Sequence, residues 1–245
     1  MTLARCDGIV LAAGAGTRFG MPKVLAGDGD WLRAAVGALH DGGCARVVVV
    51  LGATGPALRE DGPDGNSTRL VSQTPRIAIP PGARPVWAAD WAAGVSASLR
   101  AGLAAVAGGP ALEHDLAARM AAGGTVAARI TANGNAADGN TGPAAGPPEF
   151  VAIMPVDTPD IGGDAVARVI AAAYESSSGV ARAVFRGEPG HPVVLGRAHW
   201  PGAVSKADGN SGAGTYLKQR ADMVCVTCDD LATGIDRDYP RDSTR

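Results

Sequence analysis

Two short runs near the N-terminus, "GIVLAA" (8–13) and "RVVVVLGA" (46–53), are apolar and β-branched throughout instead of alternating. Strands covered by helices on both faces have this pattern, so the two runs predict strands of a parallel sheet. Between them Leu32, Ala35, Val36 and Leu39 recur at helical spacing. A second helix is predicted from Gly94 to Val106, with Val95, Leu99, Gly102, Leu103 and Val106 on one face, and "FVAIMPVD" (150–157) predicts another strand. A third helix, Asp164 to Glu175, turns Val166, Val169, Ile170 and Ala173 inward, with Asp164 as N-cap after Gly162 and Gly163. "ARAVFRG" and "HPVVLGR" predict two strands joined by a turn at Glu188, Pro189 and Gly190. A short helix through Tyr216 and Leu217, a strand at "VCVTCDD" and a polar tail complete the chain. Strands that alternate with helices predict an α/β fold, a doubly wound and mostly parallel sheet.

Two stretches break the rhythm. Residues 55–85 hold several prolines and glycines with little periodicity and predict a long surface loop. Residues 108–149 start with a possible helix at "ALEHDLAARMAA" and run into "ANGNAADGNTGPAAGPPE". That mixture buries too little apolar surface to order itself, so an insertion with mobile residues at 132–148 is expected. The whole 245-residue chain reads as a single domain carrying these two insertions.

Composition narrows the functional classes. The chain is 46% hydrophobic and 19% charged, with no stretch near the roughly 18 uninterrupted apolar residues of a membrane span. Asp7 and the following glycines interrupt what would otherwise imitate a secretion signal, and the expected location is cytoplasmic with no membrane partner. A formal charge of -2 with scattered arginines forms no basic stripe, which argues against a nucleic-acid partner. Of four cysteines, Cys225 and Cys228 form a C-x-x-C. They lie on a predicted strand, where residues three apart point to opposite faces, and no second C-x-x-C completes a zinc set.

The chemistry-bearing stretch is "LAAGAGTRFGMPK" (11–23), at the end of the first strand. Gly14, Gly16 and Gly20 suggest a backbone that passes close to a ligand, and Arg18 and Lys23 suggest an anionic one. A Walker loop requires Lys and then Ser or Thr directly after its second glycine, and no pairing of these glycines supplies that. The dinucleotide fingerprint G-x-G-x-x-G fails by one position, because its third glycine stands at Gly20, and the second strand does not end in an acidic residue.

What remains resembles the first loop of the nucleotidyltransferases typified by molybdenum cofactor cytidylyltransferase and its guanylyltransferase relative, the MobA-like and MocA-like enzymes. Leu11, Ala12, Ala13, Gly14, Thr17, Arg18, Gly20 and Lys23 fall on that pattern. "WAAGVSASLRAGL" (91–103), "IMPVDTPDI" (153–161), "GHPVVLGR" (190–197), "GNSGAGTYL" (209–217) and "DRDYP" (236–240) are similar to later segments of the family. Thr158 stands where Gln commonly follows the metal aspartate, and Tyr239 replaces the closing Thr.

The resemblance implies the Rossmann-like fold of the nucleotide-diphospho-sugar transferases and a Mg²⁺-dependent transfer from a nucleoside triphosphate to a phosphorylated acceptor, foremost molybdopterin. A molybdoenzyme is a further expected partner. CTP is favoured because the cytidylyl enzymes tend to read L-A-A-G, as Ala13 makes this chain do. Leu11, Ala12, Ala13, Gly14, Ala15, Gly16 and Thr17, with Ser96 and Ser98, are expected to bind nucleotide. Arg18 and Lys23 are the expected catalytic cations, and Asp157, Asp236 and Asp238 the expected metal ligands. His191, before Pro192, is either a substrate contact or a turn histidine. Two other readings stay open: an NAD(P)H-dependent oxidoreductase of the nicotine blue type, and a nucleotide-binding molybdoenzyme accessory protein without turnover.

Overall fold

A computed structural model describes residues 4–61, 68–72, 77–108 and 146–238. The N-terminal half contains β1 (Cys6–Ala12), a 3-10 turn (Lys23–Gly29), α1 (Asp30–Asp41), β2 (Val47–Leu51), β3 (Ala57–Asp61), β4 (Thr68–Ser72), β5 (Ala83–Trp87) and α2 (Val95–Val106). The C-terminal half contains β6 (Phe150–Pro155), α3 (Gly163–Glu175), β7 (Val180–Phe185), β8 (Glu188–Gly196), α4 (Trp200–Lys206), α5 (Gly214–Leu217) and β9 (Val224–Thr227). Among the described residues no helix is long and apolar enough to cross a membrane.

The main sheet has the order β5-β2-β1-β6-β8-β7-β9. β5, β2, β1 and β6 run parallel, so Ile9 lies between Val48 and Ile153 in register. β8 is antiparallel to β6 and β7, and β9 is parallel to β7. The expected α/β class and mostly parallel, doubly wound sheet are therefore found.

Alternating strand residues serve two cores. Val10, Val47, Val49 and Met154 pack with Leu32, Val36 and Leu39 of α1 and with Val166, Val169 and Ile170 of α3. Ile9, Val48, Val50 and Ile153 face Leu99 and Leu103 of α2 and Trp200 of α4. All five residues of β2 are buried, which is why its pattern is continuous. Each such Val or Leu side chain contributes about 1.5–3 kcal/mol through removal from water. The loops after β1, β2, β5 and β6 emerge at one edge of the sheet, the edge at which open α/β sheets bind ligands.

Several expectations are corrected. Residues 55–85 are not simply a surface loop: they contain the β3–β4 hairpin and the start of β5, and Val71, Ile77 and Ile79 are buried. β5 was hidden because it carries Pro85, which a sheet edge tolerates where a central ladder does not. The turn between β7 and β8 lies at Arg186 and Gly187, not at Glu188–Gly190. Both residues have positive φ, as a two-residue type I′ hairpin requires. Asp164 does not cap α3; Gly162 holds that place without a side-chain bond, and Asp164 sits in the first turn, where its negative charge complements the positive end of the helix dipole.

β9 stops at Thr227, short of the expected strand: Cys228 N–H makes the last ladder bond, to the Val184 carbonyl at 3.1 Å, and the chain then turns, with Leu231 and Ala232 N–H donating back to the Cys228 carbonyl. The possible helix in the second insertion lies outside the described residues. Of the stretch expected to be mobile, Gly146, Pro147 and Pro148 are held by hydrogen bonds from Arg5 and Arg197 to their carbonyls.

Candidate active site

The glycine loop leaves β1 at Ala12 and is fixed at both ends. Leu11 is half-buried and its carbonyl accepts from Val156 N–H at 3.1 Å; Ala12 and Ala13 are buried. The Ala13 carbonyl accepts from Ala53 N–H at 3.0 Å, and Trp87 Nε1 donates to the neighbouring Gly52 carbonyl at 3.1 Å. At the tip, Gly20 N–H donates to Gly16 O at 2.8 Å and closes a turn. Gly16 has φ +63°, and a Cβ there would stand 1.8 Å from the Met21 carbonyl oxygen, so this turn admits only glycine. Gly14, Thr17 and Arg18 are exposed, with Ala15 and Gly16 half-buried between them.

Lys23, at the start of the 3-10 turn, reaches across the sheet edge. Its Nζ donates to Asp157 Oδ2 and to Asp238 Oδ1, each at 2.6 Å. The Lys23 and Asp157 side chains are 16% and 15% exposed, so salt screens this pair weakly. Arg18 Nη1 lies 3.3 Å from Asp238 Oδ2, but with Arg18 68% exposed this outer contact contributes little to stability.

The C-terminal segment is brought here by its backbone. Thr233 N–H donates to Asp160 Oδ2 at 2.8 Å, and Arg237 N–H donates to the Asp157 carbonyl at 3.0 Å. These two anchors carry Asp236 and Asp238 to the end of β6, so three carboxylates face two cations.

The ionisation of these groups reflects that crowding. Burial alone would lower the Lys23 pKa, but its hydrogen bonds to Asp157 and Asp238 raise it overall. The hydrogen bond from Lys23 holds Asp238 below the usual carboxylate range. Desolvation, then the charges of Asp157 and Asp238, push Asp236 up to about 6. Asp236 itself is exposed, so the repulsion between carboxylates is the cause that the geometry supports most directly. Asp157 Oδ1 is buried with no hydrogen-bond partner among the described residues. An orphaned carboxylate oxygen beside two further carboxylates fits a hard divalent cation. Among the described residues, no group of three or more His, Cys, Asp or Glu side chains is arranged to hold an ion alone. Such a cation would therefore need water or ligand oxygens as well, which is the habit of Mg²⁺.

The MobA-like NTP transferase domain matches residues 8–224. The chain belongs to this family. Comparison with curated proteins returned no match. Solved structures with the same fold include that of an Rv0371c homologue from Mycobacterium sp. strain JC1, at 20% identity, TM-score 0.59 and coverage of 96% of this chain and 91% of that one. A manganese complex of Rv0371c from Mycobacterium tuberculosis H37Rv has 18% identity and TM-score 0.54, covering 95% and 93%. The 2-C-methyl-D-erythritol 4-phosphate cytidylyltransferase of Thermus thermophilus has 18% identity and TM-score 0.51, covering 97% and 95%.

In this MobA-like nucleotidyltransferase, Arg18, Lys23, Asp157, Asp236 and Asp238 thus come together beside the glycine loop. Ser96 and Ser98 do not join their network. Both are buried in α2, and Ser96 Oγ accepts from Arg100 Nη2 at 3.0 Å. Cys225 is exposed and Cys228 buried, both as free thiols. His191 lies within β8, not in a turn. Sequence reasoning passed over Arg182, whose signal was a lone charge inside the small and apolar run "VARAVF".

Proposed function

We propose that the protein transfers a nucleotidyl group from CTP to a phosphorylated acceptor, with molybdopterin the leading candidate and a molybdoenzyme its eventual recipient. The observation that carries this reading is the junction of Lys23, Asp157 and Asp238 at the mouth of the glycine loop, with Asp157 Oδ1 buried and without a partner. The manganese complex of a structural neighbour supports a divalent cation in this fold, and the cytidylyltransferase neighbour supports CTP and a phosphate-bearing acceptor. Ala13, in the L-A-A-G form of the loop, supports CTP over GTP.

In the reaction an acceptor phosphate oxygen attacks the α-phosphorus, the α–β bond breaks, and pyrophosphate leaves with the electron pair. Main-chain N–H groups around Gly14, Ala15 and Gly16 cradle the triphosphate. Arg18 and Lys23 offset charge on its β and γ groups and on the departing pyrophosphate. Lys23 is held in place by Asp157 and Asp238 before any ligand arrives, so its orientation costs no reorganisation at the moment of reaction. A Mg²⁺ held by Asp157 together with Asp236 or Asp238 would supply further charge neutralisation on the phosphates.

A thermal-shift panel of the four nucleoside triphosphates with Mg²⁺, alongside NADH and NADPH, tests the reading. A ligand at 100 times its Kd adds about 2.7 kcal/mol of stability. The largest shift is expected from CTP with Mg²⁺. A shift with the reduced nicotinamide dinucleotides and none with triphosphates would replace nucleotidyl transfer by redox chemistry. Binding of CTP without pyrophosphate release in the presence of molybdopterin would leave an accessory protein without turnover.

A further inference from the structure

β7 presents its side chains alternately to the two cores. Ala181 and Ala183 join the core under α1 and α3, whereas Val180 joins the core under α2, and Arg182 follows Val180 on that face. Arg182 is half-buried, and its Nε and Nη2 donate to the Gly190 carbonyl at 3.3 and 3.2 Å. Among the described residues Nη1 has no hydrogen-bond acceptor. Among the described residues no carboxylate forms an ion pair with Arg182, and its register neighbour on β9 is Cys225. A guanidinium partly withdrawn from water without a paired carboxylate carries a desolvation cost, and a ligand anion would relieve it.

The position of Arg182 relative to the donor loop gives the anion its identity. Val193 of β8 pairs with Ile153 of β6 on one side and with Arg182 of β7 on the other. Two residues before Val193, β8 carries His191 past Ile153 toward the end of β6, where Asp157 follows. β1 and its glycine loop flank β6 on one side, and β8 and β7 lie on the other. In-line displacement at phosphorus places the attacking and leaving oxygens on opposite sides of the transferred group. With the leaving pyrophosphate drawn toward Lys23 and Arg18, the attacking group enters from the β8–β7 side.

We propose that Arg182 is the anion-binding residue of the acceptor subsite, where it takes a phosphate group of the acceptor, and that His191 lines the same subsite. The inference rests on the nucleotidyl-transfer reading above. His191 contributes as a neutral imidazole, because burial and the adjacent Arg182 charge push it down to about 4. It offers a hydrogen bond without adding charge, so Arg182 fixes the sign of the ligand.

The test is calorimetric titration of inorganic phosphate into the full chain, with the donor loop filled by Mg²⁺ and α,β-methylene-CTP. Arg182→Gln is expected to weaken phosphate at least about tenfold and to leave the nucleotide analogue within about twofold of wild type; Arg182→Lys is expected to fall between. The Gln variant removes an uncompensated charge, so its Tm is expected at or above that of wild type. Equal phosphate affinity in wild type and R182Q overturns the assignment, as does a parallel loss of analogue affinity or no phosphate binding to wild type. Should R182Q not fold, undiminished phosphate binding by R182K together with R182M overturns it. If the analogue binds no variant while phosphate binding still depends on Arg182, the anion site stands and the donor reading fails.

Discussion

Lys23 Nζ stands 2.6 Å from Asp157 Oδ2 across 134 residues of chain, and the same ammonium bonds Asp238, 215 residues away. One cation thereby ties the glycine loop, the end of the central strand β6 and the C-terminal segment into a single cluster. Its removal leaves the largely buried Asp157 carboxylate without its cation beside Asp238, so Lys23 supports the geometry as well as the charge of the site.

Lys23→Ala is expected to lower turnover by more than about 100-fold, the scale of losing a main electrostatic stabiliser. Steady-state pyrophosphate release measures it. A rate close to wild type would remove Lys23 from the mechanism.

Asp157→Asn keeps the shape of the side chain and an oxygen for Lys23 while removing the charge. The Mg²⁺-dependent part of the CTP thermal shift is expected to vanish, leaving the shift that CTP gives in EDTA, and turnover is expected to fall by more than about 100-fold. An unchanged Mg²⁺ increment would exclude Asp157 as a metal ligand.

Gly16 and Gly14 should differ sharply in their response to the same substitution. Gly16→Ala places a Cβ at positive φ and against the Met21 carbonyl, and is expected to destabilise by about 2 kcal/mol or to displace the loop, with CTP affinity falling at least about tenfold. A Cβ at Gly14 meets nothing within 4 Å, and Gly14→Ala is expected to change stability by less than about 0.5 kcal/mol. Urea unfolding of both variants provides the comparison.

His191 gives a pH signature. Its folded pKa, near 4, lies below the ordinary 6.5, so its contribution to stability is complete above 6.5 and is lost as pH falls from there through 4. Wild type is therefore expected to lose more Tm than His191→Gln between pH 7 and 4.5. Parallel curves for the two proteins would show that His191 titrates normally.

The parts of this protein legible in its sequence are those decided by neighbouring residues. The apolar runs of β1 and β2 and the helical spacing of Leu32, Ala35, Val36 and Leu39 each report local burial, and the structure carries them where expected. Gly16 and Gly20 mark a turn that closes on itself, through Gly20 N–H and Gly16 O. By contrast, β5 and the β3–β4 hairpin escaped notice because their pattern is short and interrupted by proline and glycine; pairing with β2 makes β5 a strand.

By itself the sequence determined the fold class, the glycine loop proposed to meet the nucleotide and the residue types gathered around it, because backbone preferences and hydrophobic period act over a few residues. Only the tertiary structure decided that Asp236 and Asp238 leave the polar tail for the end of β6, since two backbone anchors place them there. It also decided that Arg182 lies beyond that strand with no carboxylate paired to it among the described residues, because sheet order and register, not proximity in the chain, set which charges meet.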